Sequence, residues 1–325
     1  MKNRRKKSYF QYVITIFFVL TLNFFIPRWM PGDPFTFLSS DEGQLLVSFT
    51  EEQMNLYKEY YGLDKPLVIQ YGEYIKNTFI GNLGYSIYYN DWVLHLILKR
   101  MKWTIGIVVI SLLLSVFIGV ILGCLSAWKR DTFFDEGLYG VMLILTEIPS
   151  FLIGIIFLFL FAAHLKWFPL SGGMKTYGNW TSEKEKIIDI FWHGMLPVIT
   201  LAMTKVGEFY LISRNSMLSV LSKDYIQTAK AKGLKKRRIL FKHGLKNAML
   251  PVVTKIFLTL GSVFGGAVLI ENVFQYPGIG KLMKEAIFVR DYPLIQGIFL
   301  FITITVLVMN LLADRLYSKL DPRVK

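Results

Sequence analysis

The chain has one cysteine, Cys124, set in an apolar run, which excludes both a disulfide framework and a thiolate metal site. Its four histidines, His95, His164, His193 and His243, are scattered without ligand-like spacing, so no metal centre is expected. No nucleophile–base set stands out. The one Gly-Lys in a glycine-rich setting, Gly280-Lys281, lacks the upstream glycine and the following Ser or Thr of a phosphate-binding loop. Acidic residues are also short, 23 against 37 Lys and Arg, a net charge of +14 that could serve nucleic-acid binding. The basic residues, however, sit in short blocks between long apolar runs, the pattern of membrane topology. What the chain has in excess is hydrophobic: 53% of its 325 residues, with 26 Phe. Those proportions place it among membrane proteins, with no nucleic-acid partner expected.

Spanning a bilayer takes about 20 apolar residues. Six runs qualify: Tyr9–Ile26, and roughly Trp103–Trp128, Gly137–Trp167, Met195–Ser213, Leu250–Ile270 and Pro293–Leu312. The fold class read from them is all-α, a polytopic membrane protein with six transmembrane helices and both termini on one side. The leader MKNRRKKS precedes an apolar run with no small-x-small cleavage site, so an uncleaved first span is expected. The third run is too long for one straight helix, and Pro149 is expected to kink or divide it.

Charge chooses the orientation. The leader, Lys129-Arg130, a long basic loop and the tail with Arg315, Lys319, Arg323 and Lys325 fall on one face, the expected cytoplasmic one. Lys99, Arg100 and Lys102 go against the rule. Residues 1–30 are the basic leader and first transmembrane helix, 31–102 an extracellular helical subdomain, and 103–325 a five-helix core with a cytoplasmic loop at 219–249. Within the external segment Tyr57–Tyr61, Pro66–Phe79 and Asp91–Met101 have helical periodicity, broken at Gly62, Pro66, Gly81 and Gly84. Val93, Leu94, Ile97 and Met101 share a face of the last, as in a helix lying on a membrane surface. Two further external loops are Phe168–Gly194, with PLSGG, and Glu271–Tyr292, with YPGIG and a short helix at Lys281–Val289.

The basic loop organises the rest. Between Ser222 and Thr254 nine cations, Lys223, Lys230, Lys232, Lys235, Lys236, Arg237, Arg238, Lys242 and Lys246, stand against Asp224 alone. Two short amphipathic helices are expected there. The first has Tyr225, Ile226 and Ala229 on one face, Ser222 or Asp224 as N-cap, and Gly233 at the left-handed C′ position. The second has Ile239, Leu240, Gly244 and Ala248 on one side. Pro251 then falls in the first turn of the next apolar helix, with Asn247 as candidate cap. A loop that only set topology would account for the lysines, but not for the Ala/Gly pattern or the Leu250–Pro251 junction.

Gln227-Thr228-Ala229-x-x-x-Gly233, followed by Leu250-Pro251, resembles the EAA loop of ABC-importer permeases, the loop that docks onto the ATPase subunit. Gln227 and Thr228 depart from the family's Glu and first Ala, and the distance to Leu-Pro is longer than in sugar permeases. In these departures the chain is similar to the oligopeptide/dipeptide branch. Further strings, in order, are similar to the B-type subunit of peptide/nickel-type permeases: Pro31-Gly32-Asp33-Pro34, YGLDKPLVIQY from Tyr61, GNLGYS from Gly81, IPSF from Ile148, and FPLSGG from Phe168. They continue with MLPVITLA from Met195, SMLSVLSKDYIQTAKAKGL from Ser216, ENVFQYPGIGKL from Glu271, RDYPLIQG from Arg290 and the tail LDPRVK.

The resemblance implies the type I (MetI-like) permease fold and ATPase-coupling residues Tyr225, Gln227, Thr228, Ala229, Gly233, Leu250 and Pro251. It also implies a homologous second permease subunit, two cytoplasmic ATPase subunits that bind ATP and Mg, and an extracellular solute-binding protein. No cofactor and no catalysis are expected in this chain. Peptides are the expected solute, with nickel, glutathione or oligosaccharide as alternatives within the family. A secondary transporter or channel is the competing class, but no internal repeat or ion-coordinating cluster supports it.

Glu147, Lys205, Glu208 and Lys255 fall within spans, where a central charge costs about 2.5–3.5 kcal/mol on insertion scales. Glu147 and Glu208 are candidates to line a translocation path or bridge helices, and Lys255 could instead snorkel to the interface. Gly261-x-x-x-Gly265, with Gly266, would permit close helix approach.

Overall fold

The computed structural model describes residues 2–29, 52, 55, 59, 62–235 and 238–320. Ten α-helices are described: α1 (Lys2–Trp29), α2 (Leu67–Ile80), α3 (Val93–Trp128), α4 (Phe133–Glu147), α5 (Ser150–Phe157), α6 (Glu183–Leu221), α7 (Asp224–Ala231), α8 (Lys246–Val273), α9 (Ile279–Phe288) and α10 (Tyr292–Leu320). Two π-helical segments, Leu158–His164 and Ile239–Leu245, adjoin α5 and α8. The PGDP string, most of the expected 57–61 helix, Lys236, Arg237 and the tail beyond Leu320 lie outside the described residues.

Among the described residues α3, α6 and Tyr292–Ala313 of α10 are long and apolar enough to cross a membrane, and α4 with α5 makes a fourth span if the bent pair counts as one. The expectation was six; α1, apolar over Ile14–Trp29, and α8 are 28 residues each and have the length for the other two. The α4–α5 break is local chemistry. Pro149 has no N–H to donate and forces Ile148 into an extended conformation, φ −78° and ψ 124°, so the helix axis turns by 100° there.

Contacts divide the chain into two units, Met1–Lys102 with Ile279–Leu307, and Trp103–Gly278 with Val308–Lys325. In the first, Val93 and Ile97 are fully buried against Leu282, Leu294, Ile295 and Ile298. The expected surface helix at 91–101 is therefore corrected. No Gly or Pro interrupts residues 93–102, and the segment is the first turns of the 36-residue α3, about 54 Å long at 1.5 Å per residue. Asp291 joins two distant strings of this unit. Its buried carboxylate accepts from Ser86 Oγ at 2.6 Å, Tyr88 N at 3.0 Å and Leu294 N at 3.1 Å, so it ties GNLGYS to the start of α10. Burial pushes that carboxyl above its ordinary range, against these hydrogen bonds.

In the second unit α6 begins twelve residues before the expected span. Ser182 accepts from Glu185 N at 3.3 Å, and Glu185 accepts from Thr181 N and Oγ1, a capping-box variant. Close approach to α6 is made through Gly119, Gly123 and Gly207. A Cβ at Gly123 would lie 2.6 Å from the Tyr210 carbonyl oxygen, and one at Gly207 would lie 2.6 Å from that of Met142. Gly119-x-x-x-Gly123 is thus a glycine motif that works inside the chain. At Gly265, by contrast, a Cβ would meet nothing within 4 Å. FPLSGG also meets the turn after α8, where Gly172 N–H donates to the Phe274 carbonyl at 3.0 Å, two residues before YPGIG. The fully buried Glu271 accepts from Thr104 Oγ1 at 2.6 Å beneath them.

Candidate coupling loop and intramembrane charges

Helix α7 forms where the sequence places it, but its cap differs. Lys223 occupies the N-cap without a side-chain hydrogen bond, Ser222 donates to the Ser219 carbonyl, and Asp224 is the first helical residue. A carboxylate in the first turn still opposes the helix dipole favourably. At the other end Gly233 has φ +68°, with Gly233 N bonded to the Lys230 carbonyl at 2.9 Å and Leu234 N to that of Ala229 at 3.3 Å. That left-handed turn ends the helix.

The faces of α7 divide differently from the sequence pattern. Ile226 and Ala229 are buried among Met217, Ile239, Leu240 and Ala248 of the chain's own core, whereas Tyr225, Gln227 and Thr228 are exposed. The small side chain at 229 therefore serves packing within the chain. Tyr225 leaves that face and its hydroxyl accepts from Asn247 Nδ2 at 3.0 Å, while the same amide donates to the His243 carbonyl at 2.9 Å.

Asn247 is thus not a cap. The second segment is π-helical and runs into α8 without a stop, with Ile239, Leu240, Gly244 and Ala248 buried as expected. Pro251 is exposed inside α8 and Leu250 half-buried beside it. Gly244 seats on Met217, whose Cε a Cβ there would approach to 2.5 Å, and Ser216 Oγ donates to the Ala248 carbonyl at 2.8 Å. The loop is consequently one packed body with the end of α6 and the start of α8. Its exposed surface carries Lys230, Lys232, Lys235, Arg238, Lys242 and Lys246.

The charged residues within spans separate. Glu208 is held by Lys205 at 2.6 Å, one turn before it, and by Lys255 of α8 at 2.7 Å. Lys255 therefore spends its charge on an interhelical pair. All three side chains are about one-third exposed or less, and the triad keeps one net positive charge. Glu147 is exposed at the C-terminal end of α4, just before the Pro149 break, with no hydrogen-bond or ion-pair partner among the described residues. It is not brought to Glu208's cluster.

Sequence reasoning missed a third group. Asp135, 2% exposed, accepts from Arg214 Nε at 2.8 Å and Nη2 at 2.6 Å, and from the Ser126 hydroxyl. Ser126 also shares a 2.6 Å hydrogen bond with the Tyr210 hydroxyl, and the Arg214 guanidinium lies 5.1 Å over the Tyr139 ring. A bidentate Arg–carboxylate pair of this kind fixes geometry as well as energy. It pins α3, α4 and α6 together two turns before the loop begins. The available signal was an arginine among the last apolar turns of a span, SRNSML.

A helical protein with membrane-spanning apolar helices, and a basic loop packed onto two of its long helices, has the form of a transport permease. Residues 119–325 match the family described as binding-protein-dependent transport system inner membrane component, and the chain belongs to that family. It is 36% identical to the probable peptide ABC transporter permease protein y4tP of Sinorhizobium fredii, over 93% of this chain and 92% of that one. It is 36% identical to the oligopeptide transport system permease protein AppB of Bacillus subtilis, over 94% of each. With the di/tripeptide transport system permease protein DppB of Pseudomonas aeruginosa it shares 34%, over 96% and 95%. Among solved structures, an inward-facing form of the MetNI methionine ABC transporter matches 70% of this chain and 97% of its own, with a TM-score of 0.53 at 14% identity. That likeness gives the fold, a MetI-like permease.

Proposed function

We propose that this chain is a permease subunit of an ABC importer for peptides, non-catalytic in itself. It forms the translocation path with a homologous second permease subunit, takes solute from an extracellular binding protein, and is driven by two cytoplasmic ATPase subunits that bind ATP and Mg. The observation that carries this reading is the basic loop built as one packed body with α6 and α8. A loop so braced transmits displacement to both helices. Closure of the ATPases on ATP would move it as a rigid element, and differential contact with the two ATPase states supplies the coupling energy. The peptide-permease names of three relatives, each matched over more than nine-tenths of its length, support the substrate class.

The coupling residues then take distinct roles. Tyr225, Gln227 and Thr228 present the exposed face to the ATPase, Ala229 and Gly233 shape and seat the helix, and Leu250 and Pro251 lie in the early turns of α8, which continues from the loop. Glu147 lines the path, and Glu208 clamps α6 to α8 through Lys255. Both termini and the loop are cytoplasmic, and 31–102 is extracellular.

The test is reconstitution of the complete complex in proteoliposomes with labelled tripeptide, binding protein and ATP. Uptake that requires both the binding protein and ATP is expected. Uptake without ATP, driven by an ion gradient, would instead establish a secondary transporter.

A further inference from the structure

A cleft of about 580 Å³ lies at one rim of the second unit, between the C-terminal ends of α3 and α6 and the inner side of α7. Its floor is apolar, with Trp128, Leu221, Leu234 and Ile239, and its edge carries Arg130 and Lys230. Both cations are exposed, and the Lys230 ammonium stands 6.0 Å over the Trp128 ring. Asp131, outside the cleft lining, lies 3.2 Å from Arg130 in a surface pair, with both side chains more than 60% exposed. A pair of that exposure is worth at most about 1 kcal/mol and leaves the guanidinium able to turn to a stronger anion.

The depth of this cleft is fixed by its walls. Two helices apolar enough to cross a membrane pass beside it: α3 ends there at Trp128, and α6 runs about two turns past its expected span to end at Leu221. The neighbouring turn adds Phe133, 96% exposed, and Phe134 under the Lys129 ammonium at 4.9 Å. Aromatic and basic residues mixed at the end of a span mark the headgroup layer. Exposed Phe and half-buried Trp would otherwise face water at a cost.

We infer that this cleft binds an anionic phospholipid, its phosphate between Arg130 and Lys230 and the upper part of an acyl chain on the Trp128–Leu221 floor. Charge complementarity selects the occupant, because a zwitterionic lipid gains little from two cations with one weakly held acid nearby. A lipid seated there touches the ends of α3 and α6 and helix α7 at once. It would therefore brace the basic loop against the spans. The inference needs only that these helices cross a membrane, and does not depend on the solute or on the ATPase contact.

Native mass spectrometry of the full chain in detergent, with equimolar phosphatidylglycerol and phosphatidylethanolamine of matched acyl chains, tests it. One phosphatidylglycerol per chain is expected, retained at least about tenfold over phosphatidylethanolamine. The preference should fall to parity in Arg130→Gln/Lys230→Gln and persist in Lys223→Gln/Lys235→Gln, which removes equal charge outside the cleft. All four positions are exposed, so folding is not at stake. Parity in the parent chain, or equal loss in both double variants, would overturn the proposal. So would full displacement of the lipid by millimolar inorganic phosphate, since the site would then hold a bare anion.

Discussion

Replacing Asp135 by Ala should be among the most damaging single changes outside the basic loop. The carboxylate is 2% exposed and takes two hydrogen bonds from Arg214, whose side chain is only 16% exposed. Its removal leaves a guanidinium with little water and no counter-charge, plus a Ser126 hydroxyl without its acceptor. Breaking a buried pair from one side costs about 3–5 kcal/mol. At roughly 2–4 °C per kcal/mol for a unit of this size, the thermal midpoint should fall by about 6–20 °C. The neighbouring Arg130–Asp131 pair is the internal control, because it is exposed and Asp131→Asn, which keeps a residue suited to the φ of +61° there, should cost less than about 1 kcal/mol. Asp135→Leu with Arg214→Met, which removes both charges and keeps volume, should recover much of the loss. Fluorescence-detected size exclusion after a temperature ramp reads all three. If Asp135→Ala melts within a degree or two of Asp131→Asn, the buried pair is not what pins α3, α4 and α6.

Gly123→Leu should prevent the close approach of α3 to α6 and cost about 1–3 kcal/mol or more by overpacking, whereas Gly265→Leu should be tolerated by the isolated chain; the same melting assay separates them. Cysteine at Ser222 should resist an impermeant maleimide in intact cells and react after lysis, while labelling from outside would invert the orientation. Glu147→Leu should lower uptake by the reconstituted complex without loss of the ATPase subunits, and wild-type uptake would remove Glu147 from the path.

Three of the six expected spans, and the bent fourth, were legible because about 20 apolar residues in a row have few other uses, and the Pro149 break because proline acts locally on Ile148. Gly233 was legible for the same reason: a left-handed turn after a short helix selects glycine. What failed depended on partners distant in sequence. Two glycine motifs of the same spacing look alike, and only packing shows that Gly119 and Gly123 meet α6 while Gly265 meets open space. Ala229 and Tyr225 are neighbours on a helical wheel, yet core packing takes the first and Asn247 draws the second outward. The continuation of α8 through Pro251 was hidden because the π-helical turn before it supplies no stop signal. The Asp135–Arg214 pair spans 79 positions, and no periodicity links them.

Site-specific photocrosslinking from Gln227 in the assembled complex reads directly whether the exposed face of α7 meets an ATPase. A crosslinker at Gln227 should join this chain to the ATPase subunit, more strongly with ATP bound than without, while one at the exposed Leu170 should not. An assembled, peptide-transporting complex that gives no ATPase adduct from Tyr225, Gln227 or Thr228 would contradict that contact.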